Sequence, residues 1–141
     1  MVIITHGGAG RYDDETLDKA TGELGGEPVT IRQCGTAEEL GHAPDRKDPG
    51  DETVVAAGGD GSIHRLVAAL YERGELDQRT VGLLPLGTGN DLARNLGIPL
   101  DPAGAGRVLG DGEVRELDLM VDEDDGSCST PSTWAWAPPR P

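Results

Sequence analysis

Two stretches of this chain carry residue types that could handle an anion: Gly58-Gly59-Asp60-Gly61-Ser62 and Pro85-Leu86-Gly87-Thr88-Gly89-Asn90-Asp91. In the first, glycines let the main chain approach a ligand closely and turn successive N–H groups toward it. Ser62 offers a hydroxyl, either to cap a helix or to donate to a phosphate oxygen. Asp60 is the odd member. A carboxylate among anion-binding amides repels the ligand unless it holds Mg²⁺, usually through water, or accepts a hydroxyl proton. The same five residues also suit a plain strand-to-helix turn with Asp60 as an ordinary turn residue. In the second stretch, Thr88 and Asn90 supply polar groups beside Gly87 and Gly89, and Asp91 is placed to cap a following helix. A bare glycine turn with a helix cap is the alternative there.

The elements that would position these loops follow a repeating order. Val2 to Thr5 is a short apolar run ending in Gly7-Gly8-Ala9-Gly10, a buried strand and a glycine turn. Residues 15–24 place Leu17, Ala20, Thr21 and Leu24 at helical spacing. Residues 28–33 read as a second strand, 36–40 as a short helix, and 42–51 as a surface loop rich in Pro, Gly and charge. Thr53 to Ala57 is the clearest strand and runs straight into the first glycine loop. Ile63, Leu66, Val67 and Leu70 then fall at i, i+3, i+4 and i+7, one face of a helix. Val81 to Leu84 is the next strand, followed by the second glycine loop and a short helix over 91–96. A helix over 101–109, diluted by Gly104 and Gly106, and a last strand over 114–120 close the pattern. Strand, turn and helix in alternation imply an α/β fold, a three-layer Rossmann-like domain with a mainly parallel sheet. Ligands of such sheets sit beyond the carboxyl ends of the strands, where the glycine-rich turns fall. Residues 1–121 form this domain; 122–141, an acidic run and then a Pro- and Ser-rich stretch, read as a disordered tail.

Composition narrows the function classes. The formal net charge is −14 and only two of the twelve basic residues are lysine, Lys19 and Lys47. Such a surface repels nucleic-acid phosphate and offers no basic patch to an anionic membrane. It suits either a high-salt cytoplasm or an acidic soluble protein from a GC-rich genome. Cys34 and Cys128 lack metal or redox spacing and read as one buried small residue and one tail thiol, in keeping with a reducing cytoplasm. The opening residues do not read as a secretory signal, and no stretch approaches a membrane span, so any lipid chemistry is expected from the water side.

Other phosphate motifs are absent. There is no GxxxxGK[ST], and each candidate GxGxxG fails at its last position, which is His64, Leu92 or Asp13. His42 and His64 read as surface residues. His6 ends the first strand beside a glycine turn and is a candidate to face the ligand.

The segments VVAAGGDGSIHRLVAAL and VGLLPLGTGNDLARNLGIP, with Leu117-Asp118-Leu119 after them, resemble the catalytic domain of diacylglycerol kinases and their lipid-kinase relatives, the sphingosine kinases among them. The resemblance covers about residues 1 to 120 and is densest from Thr53 to Pro99. It implies ATP with Mg²⁺ as cofactors and transfer of the γ-phosphoryl group to a lipid hydroxyl such as that of diacylglycerol, by a cytoplasmic protein that touches the membrane at most peripherally. It implies that Gly58, Gly59, Gly61 and Ser62 cradle the nucleotide phosphates, that Asp60 is the catalytic residue or reaches Mg²⁺ through water, and that Thr88 contacts the nucleotide. Asn90 and Asp91, with Gly87 and Gly89, shape the cleft. NAD kinases share the first loop but not Pro85 to Asp91, so that reading is disfavoured.

Four features depart from the family pattern. Ser62 replaces a usual threonine and keeps the hydroxyl. His6-Gly7 stands where Asn-Pro is usual, and Arg65 where an acid is common. The family also continues into a β-rich second domain that holds the lipid pocket. Here the chain passes instead into Asp122-Glu123-Asp124-Asp125 and the proline-rich tail. A nucleotide-binding module without turnover is therefore the second expectation.

Overall fold

The computed structural model describes residues 1–6, 14–36, 39, 53–121 and 128–129. Four strands, β1 (Val2–His6), β2 (Thr30–Cys34), β3 (Thr53–Gly58) and β4 (Thr80–Pro85), form one sheet in the order β2-β1-β3-β4. All three pairings are parallel: Ile3 lies opposite Ile31 and Val55, and Ala57 lies opposite Leu84. Parallel strands need crossovers, and the helices that make them cover both faces. α1 (Asp14–Thr21) lies between β1 and β2 and α2 (Asp60–Glu72) between β3 and β4, while α3 (Asp91–Leu96) and α4 (Pro102–Asp111) follow β4 and help to cover the faces.

Successive residues of a strand point to opposite faces, and this splits the core in two. Val2, Ile4, Val54, Ala56 and Leu83 pack under Ile63, Leu66 and Leu70 of α2 and Leu92 and Ala93 of α3. Ile3, Val55, Ala57 and Leu84 pack under Leu17 and Ala20 of α1, Leu24, and Ala105 of α4. The expected three-layer α/β arrangement with a parallel sheet is what the chain adopts. The apolar runs are continuous because both faces are covered.

The glycines of α4 have a packing role. A methyl group on Gly106 would lie 2.2 Å from the Ala20 carbonyl oxygen, so α1 and α4 meet backbone to backbone. Asp101 caps α4 by accepting from the Gly104 amide at 2.7 Å, and Pro102 opens the helix, where its missing N–H is no loss.

The last strand departs from expectation. Residues 113–119 are exposed, apart from half-buried Leu119, and take no regular structure. Only β5 (Met120–Val121) pairs, antiparallel with β6 (Cys128–Ser129). Val114 and Leu117 stay exposed, and a segment with apolar residues becomes a strand only where a partner edge and a covering layer exist. The expected helix over 36–40 and loop over 42–51 fall mostly or wholly outside the described residues, as do the Gly7–Gly10 turn and most of the tail.

At the edge of the sheet away from the glycine loops, Glu75 is buried between two arginines. Its Oε1 lies 3.0 Å from Arg73 Nε and Nη2, and its Oε2 lies 2.8 Å from Arg79 Nε, in an ion pair whose N–H is not aligned on the oxygen. This cluster ties the end of α2 to the start of β4.

Candidate functional site

β3 and β4 are neighbours, so the loops that leave their carboxyl ends start side by side, with Gly58 opposite Pro85. The Leu86 amide donates to the Gly58 carbonyl at 3.0 Å and carries the contact one residue past the ladder. Beyond it the loops touch through glycine: a methyl group on Gly59 would lie 3.3 Å from Gly87 Cα, and one on Gly87 would lie 2.4 Å from Gly59 Cα. Any larger residue at position 87 would force the loops apart.

The first loop passes into α2 with Gly59 at the cap position, extended, and with no side-chain cap. The amides of Ser62 and Ile63 bond back to the Gly59 carbonyl. The helix thus begins at Asp60, two residues before Ser62, so Ser62 is not its cap. Ser62 is buried, and its hydroxyl belongs to the first turn. The amides at the start of this thirteen-residue helix, together with its dipole, favour an anion.

The second loop is fastened by two side chains. Asn90 takes the left-handed conformation (φ 54°, ψ 40°), and its Nδ2 donates to the Gly87 carbonyl at 2.7 Å. Asn90 is buried, and its Oδ1 has no hydrogen-bond partner among the described residues. Arg94 donates from Nη1 to the Gly89 carbonyl and pairs with Asp91 Oδ1 at 3.4 Å. Sequence reasoning passed over Arg94, although an acid and a base three apart on a helix are the usual signal of such a pair.

Asp60 joins the loops. Its Oδ2 accepts from the Asp91 amide and its Oδ1 from the Leu92 amide, both at 3.0 Å. The carboxylate therefore caps the first turn of α3 from 31 residues away. Asp91, expected to be that cap, is instead the first helical residue, exposed, and its amide is one of the two that Asp60 accepts from.

The structure thus brings Gly58, Gly59, Asp60, Gly61, Ser62, Gly87, Thr88, Gly89, Asn90 and Asp91 to one edge of the sheet, with Gly61, Thr88 and Gly89 exposed. His6 ends β1 on the same edge, one strand over, following the Thr5–Ala57 pair. Among the described residues no cluster of three side chains could hold a metal by itself, and no helix is long and apolar enough to cross a membrane.

Comparison with known proteins agrees with this geometry. Residues 1–121 match the diacylglycerol kinase catalytic domain. A Pseudomonas aeruginosa protein named "Probable lipid kinase YegS-like" is 48% identical over 123 residues, 84% of this chain and 39% of its own. One of the same name from Xanthomonas campestris is 35% identical over 120 residues, 81% of this chain and 39% of its own. The chain thus spans about two fifths of the length of these curated relatives. The crystal structure of a diacylglycerol kinase from Bacillus anthracis shares the fold with a TM-score of 0.71 at 24% identity, over 84% of this chain and 42% of that one. On the match across its whole sheet and both glycine loops, the chain belongs to the diacylglycerol kinase catalytic domain family of lipid kinases.

Proposed function

We propose that this chain is the nucleotide-binding part of an ATP-dependent lipid kinase. It would hold ATP while the γ-phosphoryl group passes to a lipid hydroxyl such as that of diacylglycerol. The observation that carries the reading is the junction of the two glycine loops at the carboxyl edge of β3 and β4, beside the uncapped start of α2. Phosphoryl transfer asks mainly for positioning and stabilisation of charge, and the main-chain amides at the start of α2 would contribute to both. Gly58, Gly59, Gly61 and Ser62 take the phosphates. Gly87, Thr88, Gly89, Asn90 and Asp91 form the facing wall. His6 borders the cleft from β1.

In the transfer the bond from the γ-phosphorus to its bridging oxygen breaks as a bond to the lipid oxygen forms, and the hydroxyl proton leaves. Each oxygen of the Asp60 carboxylate already accepts one amide, which leaves one lone pair on each. That arrangement suits a water-bridged Mg²⁺ held chiefly by the nucleotide, the usual habit of this ion. When bound it would neutralise phosphate charge. Taking the acceptor's proton would remove the charge that strengthens both amide bonds, so the carboxylate suits that task less well. The lipid would be met from the water side.

A second reading is a module that binds nucleotide without turnover. It is favoured by the engagement of both Asp60 oxygens with main-chain amides, a structural use of the carboxylate. Titration of the chain with ATP and Mg²⁺, followed by amide shifts in NMR, tests both. Shifts centred on 58–62 and 87–91 are expected; no saturable change there removes the nucleotide site. Phosphate transfer from ATP to diacylglycerol vesicles, or its lack, then separates kinase from module.

A further inference from the structure

We infer that Asp60 is a positioning residue whose carboxylate locks the second glycine loop against the first in the arrangement that receives the nucleotide. This rests on the nucleotide-binding reading above.

Three observations converge on it. Both carboxylate oxygens are committed to main-chain donors, Asp91 N and Leu92 N, at the start of a helix that has no side-chain cap of its own. Asn90, which occupies the cap position, is left-handed and uses its side-chain nitrogen on Gly87, so its side chain does not serve the first turn. And the space at Gly89 is shaped to the carboxylate: a methyl group there would lie 2.9 Å from Asp60 Oδ2. A six-residue helix is too short to hold itself together. Asp60 therefore sets where Asn90, Gly89 and Thr88 stand relative to Gly59 and Gly61. Its negative charge also complements the start of α3.

This role differs from that of a base that touches only the acceptor. A base replaced by its amide leaves nucleotide binding and the α3 amides undisturbed. A clasp does not. The test uses the full chain as the unmodified protein, Asp60→Asn, Asp60→Ala and Gly89→Ala. Gly89→Ala keeps the carboxylate but pushes it off its donors. Amide hydrogen exchange at Asp91 and Leu92 is read in each without ligand, and MgATP affinity is read by titration.

Asp60→Ala is expected to speed exchange at both amides by at least about tenfold, as loss of a bond to a charged group implies. Asp60→Asn keeps one acceptor and falls between. Gly89→Ala speeds both with Asp60 intact. MgATP affinity falls in the same order as exchange rises across the two Asp60 variants. Unchanged exchange in Asp60→Ala and Gly89→Ala overturns the clasp. Faster exchange with unaltered MgATP affinity overturns the positioning role. An unmodified chain that binds no MgATP overturns the nucleotide reading instead, and the functional half of the proposal with it. Should Asp60→Ala lose its fold, exchange in Asp60→Asn and Gly89→Ala decides the clasp, and MgATP affinity in Asp60→Asn decides the positioning role.

Discussion

Gly87 packs on Gly59 with no side chain between them; a methyl group on Gly87 would lie 2.8 Å from the Gly59 nitrogen as well as 2.4 Å from its Cα. Neither residue has a positive φ, so it is the close approach that requires glycine there. Gly87→Ala is expected to lower unfolding free energy by about 1–3 kcal/mol, the usual range for overpacking. It should also weaken MgATP binding, because relief comes only by parting the loops. Urea unfolding and a nucleotide titration check both.

Gly61 gives the opposite case. A methyl group there meets nothing within 4 Å. Gly61→Ala should keep or slightly raise stability, by about 0.5–1 kcal/mol for removing glycine from a helix. Yet the open space it fills is where we propose that the phosphates bind. Intact stability with reduced MgATP affinity is expected; undiminished affinity takes Gly61 out of the site.

Asn90 combines a left-handed backbone with a side-chain bond to Gly87. Asn90→Gly keeps the conformation and loses the bond, for about 1 kcal/mol. Asn90→Ala loses the bond and strains the backbone, for about 1–2 kcal/mol more. The order of the two midpoints in urea is the measurement; equal midpoints would show that the conformation is not held in solution.

Glu75 sits against Arg79, whose side chain is only 3% exposed. Glu75→Ala removes the carboxylate that offsets a buried guanidinium, and a loss of about 3 kcal/mol is expected in urea unfolding. Because the pair is buried, added salt should reproduce little of that loss.

Burial raises the Cys34 thiol above its ordinary value, Glu39 pushes the same way, and Arg32 pulls it back down. The unfolded thiol ionises first as pH climbs. The contribution is therefore complete below about pH 8.5 and is lost as pH rises through the higher folded value. In a Cys128→Ser background, unfolding free energy should fall on the alkaline side, and Cys34→Ala should flatten that slope.

The alternation of strand and helix was legible because Val2 to Ile4, Val54 to Ala57 and Leu83 to Leu84 are unbroken apolar runs, the mark of strands covered on both faces. The two loops were legible because glycines fall directly after such runs. Three things were not. Asp60 and its donors are 31 and 32 residues apart, and no local pattern encodes a cap supplied across that distance. Gly106 read as a weakness in a helix because a missing side chain gives no hint of the neighbour it admits, here Ala20. Val114 to Met120 read as a strand because its apolar residues record only the readiness to pair.

A helix whose terminus is closed by a distant loop cannot mature before the sheet does. α3 becomes protected only after β3 and β4 have aligned and delivered Asp60 to Asp91 and Leu92. These two amides are thus a built-in gauge of late assembly: in refolding they should gain protection after those of β3, and in partial denaturant they should surrender it first.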